Sequence, residues 1–118
     1  MIAEDELIRV DFLLKQISLI QHDLANKTYE DFEKSDLLVR ATAFSLVQIG
    51  EQMNKLETMF KDRYPELPWA DARRMRNVIV HVYVKVDAAQ VYETATKDLD
   101  VLTNYFSKIK QDLLNEIS

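Results

Sequence analysis

One glycine, Gly50, and two prolines, Pro65 and Pro68, are spread over 118 residues. Tight turns draw on these residues because glycine supplies positive φ and proline presets φ near the turn value, so a β-rich chain of this length needs many more of them. The shortage predicts an all-α fold of long helices. The length fits one domain spanning residues 1–118. A hydrophobic fraction of 47% beside 30% charged residues is enough apolar matter for a core.

The apolar spacing bears this out along the chain. From Glu4 to about Asn26, Leu7, Val10, Leu13, Leu14, Ile17, Ile20 and Leu24 recur at steps of three and four, the pattern of an amphipathic helix. The polar stretch NKTYEDFEKSD reads as a link with Thr28 as a cap, and Val39, Ala43, Leu46, Ile49, Met53, Leu56 and Phe60 then define a second helix. Gly50 lies inside that helix, where it costs about 1 kcal/mol relative to alanine, so a close approach by another backbone is expected there. RYPELPWADARR stops the helix at Pro65 and restarts it at Pro68, in whose first turn a missing amide proton costs nothing. Asp87 and Gln90 have capping-box spacing and open a last helix through Val91, Ala95, Leu102, Phe106, Ile109 and Leu113. Four helices with mostly short links predict an up-and-down antiparallel four-helix bundle.

Charge and composition narrow the function. A net charge of -5 argues against a broad nucleic-acid coat, which needs many phosphate contacts, but leaves room for a local site. There is no cysteine, hence no disulfide framework or thiolate metal site. MIAEDELIRV carries acids where a signal peptide carries a basic region, and no apolar run reaches membrane-spanning length, so a cytoplasmic protein away from the membrane is expected.

RMRNVIVHVY, residues 74–83, breaks the ordinary pattern. On a helix Met75, Val78, Ile79 and Val82 form one stripe and predict the core contact, while the other arc collects Arg73, Arg76, Asn77, Val80, His81 and Val84. Branched apolar residues beside guanidinium groups fit a face covered by a second protein surface, such as a symmetric homodimer whose cleft holds the arginines and His81. The alternative is a helix buried on both sides, its arginines snorkelling or paired with some of the 20 acids. Asn77 precedes His81 by one helical turn and is placed to orient the ring or touch the same ligand. His22, beside Asp23, reads as solvated surface, and the Glu4/Asp5 and Asp98/Asp100 pairs as helix-end and exposed charges. Two distant histidines make no metal-ligand set, and one glycine makes no phosphate loop, so no metal or cofactor is expected.

Arg76-Asn77-Val78-Ile79-Val80-His81-Val82-Tyr83 resembles the HEPN superfamily, in particular its HepT-like toxin branch, whose signature is Arg, four residues, His, one residue, Tyr. RATAFSLVQIGEQMNKL is similar to that branch's second long helix with its Ile-Gly-Glu element, and YPELPW to its approach to the motif helix, so the resemblance covers about residues 36–102. Arg74 and Val82 depart from the residues many relatives carry at the motif's edges. The resemblance implies a metal-independent endoribonuclease that pairs with a MntA-like nucleotidyltransferase antitoxin in a type VII-like toxin–antitoxin module. It further implies that Arg76 and His81 are the active pair in the cleft of a homodimer, with Asn77 and Arg73 supporting substrate binding. Tyr83 is then the tyrosine to which the partner attaches AMP. A non-catalytic reading stays open beside it: a HEPN subunit that docks a nucleotidyltransferase and positions its nucleotide or substrate.

Overall fold

The computed structural model describes residues 2–85 and 87–118, with the side chains of all of these except Ile2 and Tyr83. The helices are α1 (Ile2–Leu24), α2 (Tyr29–Lys34), α3 (Asp36–Phe60), α4 (Trp69–Lys85), α5 (Ala88–Glu93) and α6 (Leu99–Ile117), with a π-helical turn over Thr94–Asp98 between the last two. No strand occurs among the described residues. Cross-links between helices give their directions. Gln21 bonds Asp100 at 3.3 Å and Asp11 pairs with Lys110 at 2.8 Å, so α1 and α6 are antiparallel. Arg63, just past the end of α3, bonds Glu6 of α1 at 2.6 Å, while Glu57 pairs with Arg73 and Gly50 faces Ile79, so α3 runs against both α1 and α4. The result is the up-and-down antiparallel bundle, with α5, the π turn and α6 forming its last arm.

Local chemistry explains the helix ends. Asn26, at φ 62°, turns the chain out of α1 through the left-handed region that asparagine tolerates. The stretch expected to be a plain link contains α2 instead. Thr28 accepts from the Asp31 amide at 3.1 Å and Asp31 accepts from the Thr28 amide at 3.0 Å, a reciprocal capping box, and the buried Phe32 anchors the helix. Tyr92 of α5 packs on both Tyr29 and Phe32, at centroid distances of 5.4 and 5.3 Å. Ser35 then caps α3 by accepting from the Leu38 amide at 3.1 Å.

Several expectations need correction. Helix α3 ends at Phe60, five residues before Pro65, and the chain turns through 61–67 before α4 begins. The Pro68 carbonyl accepts from the Asp71 and Ala72 amides, which puts Pro68 at the cap of α4. Asp87 caps α5 through the Ala89 and Gln90 amides, but the Gln90 side chain turns to Thr94 at 3.4 Å, so the box is one-sided. The last arm is interrupted by the π turn, where Thr96 Oγ1 donates to the Tyr92 carbonyl at 2.7 Å and competes with the helix for that acceptor. Asp98, in the same turn, is half-buried, and desolvation raises its pKa, whereas Asp100 is exposed as expected. All the helices feed one core that includes Leu13, Phe32, Leu46, Phe60, Ile79, Val91 and Phe106. No helix among the described residues is long and apolar enough to cross a membrane.

Candidate active site

Helix α4 owes its position to both ends of the α3–α4 hairpin. At its start, Trp69 is buried, its indole Nε1 donates to the Tyr64 carbonyl at 2.7 Å, and its ring meets Phe106 edge-on at 6.2 Å. Farther along, Ile79 sits against Gly50: a Cβ there would lie 3.1 Å from Ile79 Cγ2 and 3.7 Å from Arg76 Cγ. The close approach expected at the glycine is therefore real, but it is made by side chains of α4 and not by a backbone. The missing Cβ makes room for Ile79 Cγ2, while the stem of Arg76 lies at ordinary contact distance beside it, so the glycine lets α4, and Arg76 with it, pack close to α3.

The core stripe of α4 is Ala72, Ile79 and Val82, with Met75 partly buried. Val78, expected in it, is 37% exposed, because it lies past the edge of the contact with the rest of the bundle. Val80 and Val84 are 51% and 76% exposed, on the arc with Arg73, Asn77 and His81, which are also exposed. The reading of α4 as buried on both sides does not hold in this chain.

The three arginines have different surroundings. Arg73 pairs with the half-buried Glu57 of α3, and Arg74 pairs with Asp71 one turn back. Arg76 is half-buried, its Nη2 donates to Asn77 Oδ1 at 3.2 Å, and among the described residues it has no carboxylate partner. A fixed guanidinium without a counter-ion is suited to an incoming anion, phosphate above all. His81 makes no hydrogen bond or ion pair among the described residues and stands one turn beyond Asn77. The structure thus joins Arg76 to Asn77 directly. His81 lies about 7.5 Å farther along the axis and about 140° around it from Arg76. Tyr83 has its backbone in α4, but its side chain lies outside the described residues. His22 is exposed at the end of α1. No three His, Asp or Glu side chains among the described residues gather into a possible metal site. Glu57 was missed by sequence reasoning; only the pairing register of α3 with α4 identifies it.

A helical bundle whose motif helix carries this arginine, asparagine and histidine is a HEPN bundle. The chain belongs to the HepT-like ribonuclease family, whose model matches residues 13–109. A Thermococcus cleftensis protein named "probable ribonuclease HepT" is 29% identical over 103 residues, 84% of this chain and 90% of that one. A protein of Caldanaerobacter subterraneus subsp. tengcongensis named as a candidate RNase is 28% identical over 102 residues, 86% of this chain and 91% of its own. A Methanocaldococcus jannaschii protein named as a gamma-glutamylcyclotransferase and candidate RNase is 30% identical over 110 residues. The match takes in 93% of this chain but only 50% of that relative, so the chain spans about half its length. No solved structure matches the chain.

Proposed function

We propose that the protein is a metal-independent endoribonuclease, the toxin of a toxin–antitoxin module, with Arg76 and His81 as its active pair. The observation that supports this most is the state of Arg76: packed beside Gly50 and bonded to Asn77, it lacks a carboxylate partner among the described residues, although both neighbouring arginines have one. RNA carries its own nucleophile. Its 2′-oxygen attacks the adjacent phosphorus and passes its proton to a base, the P–O5′ bond breaks, and the departing oxygen takes a proton from an acid. The product is a 2′,3′-cyclic phosphate. Imidazole, with an unperturbed pKa of about 6.5, suits such transfers near neutral pH. Arg76 binds the phosphate oxygens more tightly as negative charge builds on them, a contribution of about 3 kcal/mol by comparison with oxyanion donors.

Two copies complete the site in this reading. Val80 and Val84 need cover, and the angular separation of Arg76 from His81 on one helix suits a cleft where both copies contribute. Each cleft then has two histidines, one able to act as base and the other as acid. The partner is a nucleotidyltransferase antitoxin that attaches AMP to Tyr83. The tyrosine hydroxyl gives up its proton to solvent as its oxygen bonds the α-phosphorus of ATP, pyrophosphate leaves, and the added phosphate competes with RNA for the nearby arginines. On the helical repeat Tyr83 lies about 20° around from Arg76 and about 10 Å along the axis, within reach of the same cleft. The site works in the cytoplasm, where RNA and the partner are found.

The test is RNA cleavage by purified protein in excess EDTA. Cleavage leaving 2′,3′-cyclic phosphate ends is expected, with co-expressed nucleotidyltransferase adding AMP mass to the wild type and none to Tyr83→Phe. A requirement for a divalent ion overturns the mechanism. RNA binding without any cleavage would make the chain a non-catalytic docking subunit.

A further inference from the structure

From Arg73 toward the start of α4, a trough follows the seam between α3 and the 61–68 turn. The recess between Arg73 and Arg76 is too narrow to admit water, and on the far side of the Glu57–Arg73 pair lies a cavity of about 400 Å³ lined by Glu57, Thr58, Lys61, Asp62 and Arg73. The next cavity, about 520 Å³, shares Lys61, Asp62 and Arg73 and is closed on its far side by Pro65, Pro68 and Trp69. Both volumes fall within the roughly 300–1,000 Å³ of small-molecule clefts, and the shared residues make them one surface. Arg73, which lines both cavities, stands one helical turn from Arg76, about 4.5 Å along the axis, so the trough begins within a nucleotide's length of a phosphate bound at Arg76.

We infer that this trough is a subsite for the nucleotide next to the scissile phosphate, with Lys61 holding its phosphate and the proline wall taking its base. The inference rests on the ribonuclease reading above. Lys61 is exposed at the end of α3, and among the described residues its ammonium has no ion-pair partner. Arg73 lies across the trough, but its charge is already matched by Glu57. Lys61 is therefore the spare cation, and Asp62 is the charge that opposes a phosphate there. The wall offers no side-chain donor for reading a base edge, because the Trp69 indole N–H is committed to the Tyr64 carbonyl. Pro65 and Pro68 present apolar surface to the flat face of a base, so the subsite accepts any base and contributes affinity in place of sequence choice.

A 2′-O-methyl RNA of about eight nucleotides, too inert to be cut and within the span of single-strand sites, serves as the probe. Its affinity for the full chain is measured over a range of salt. Lys61→Gln should weaken binding about fivefold and lower the log–log salt slope by about 0.7, the loss of one single-strand phosphate contact. Lys61→Arg should bind as the wild type does. Asp62→Asn should tighten binding, an effect of opposite sign that misfolding does not produce. Lys55→Gln, exposed and outside the trough, should change nothing. With cleavable RNA, Lys61→Gln should raise KM and leave kcat nearly unaltered. If Lys61→Gln keeps wild-type affinity and slope while the wild type binds and cuts RNA, the subsite is wrong and the ribonuclease reading stands. A wild type that neither binds the probe nor cuts RNA overturns both.

Discussion

The two ends of α4 have opposite surroundings. At its start Trp69 is buried, bonded to the Tyr64 carbonyl and edge-on to Phe106. Just before it, the Tyr64 hydroxyl donates to Asp112 at 2.8 Å, and Arg63 reaches Glu6 at 2.6 Å and Glu116 at 3.6 Å. That end ties α1, α3, α4 and α6 together. Toward the other end, Asn77, Val80, His81 and Val84 face solvent, and the Arg76–Asn77 bond is the one side-chain hydrogen bond among the described residues of the motif. Interactions spent on ordering the first end fix the helix in space. The second end is left with groups whose hydrogen-bonding and apolar capacity is unused by the fold, which is what a ligand or a partner surface requires.

If the first end carries stability, Trp69→Ala should be the most damaging change, about 3–5 kcal/mol in a denaturation experiment, through the cavity and the lost indole bond to the Tyr64 carbonyl, which keeps the Leu67 amide at 3.2 Å. A loss under about 1 kcal/mol would erase the contrast between the ends. At the open end Val80→Asp should leave the protomer folded but place a carboxylate in the proposed two-copy interface. A cost of about 3 kcal/mol raises the dimer Kd more than a hundredfold, and sedimentation should then show monomers. A wild type that is itself monomeric at micromolar concentration breaks the shared-cleft reading.

A third prediction sharpens the contrast through pH. Burial, then the hydrogen bond to Asp112, pushes the Tyr64 phenol up to about 12. An unfolded tyrosine loses its proton near 10, so the folded state holds one proton more between those values. The associated stability is complete below pH 10 and falls by about 2 kcal/mol as pH rises toward 12. Tyr64→Phe should flatten that part of the stability profile relative to the wild type. An unchanged profile would mean that Tyr64 is open to water.

A small effect on folding is expected at Gly50→Ala, where about 1 kcal/mol of helix propensity opposes the 3.1 Å contact with Ile79 Cγ2. Ile79 is stiff at χ1, so α4 must shift by a few tenths of an ångström, and Arg76 moves with it. Stability should change by less than about 1 kcal/mol while RNA cleavage falls about tenfold, a 1.4 kcal/mol effect on the barrier. Equal activity would free the glycine from any part in placing the arginine.

What the sequence disclosed follows the range of each interaction. The long helices and the Thr28 and Asp87 caps depend on neighbours within four residues and were legible. Helix α2 has under two turns, too few for apolar spacing to register, so Thr28 showed a cap but not the helix behind it. The π turn arises from a threonine hydroxyl competing for one carbonyl, which no periodicity reveals. At the site, the exposure of Val80 and Val84 was legible from the mixed arc. The burial expected of Val78 failed: Ile79 and Val82 take the contact with the core and Val78 stays 37% exposed at the edge of their stripe. Which arginine stays without a carboxylate was likewise hidden, since it depends on Glu57, sixteen residues before Arg73, pairing with Arg73 and not with Arg76.

The central claim is that the open end of α4 performs chemistry without supporting the fold. It is tested most directly by measuring RNA cleavage and denaturation midpoint on one preparation of His81→Ala. The account predicts stability within about 0.5 kcal/mol of the wild type, as for an exposed side chain without partners. Cleavage in EDTA should fall by about 10²–10⁴-fold, the usual contribution of a general acid or base. Cleavage at the wild-type rate would contradict the account, and so would a loss of stability large enough to explain the loss of activity.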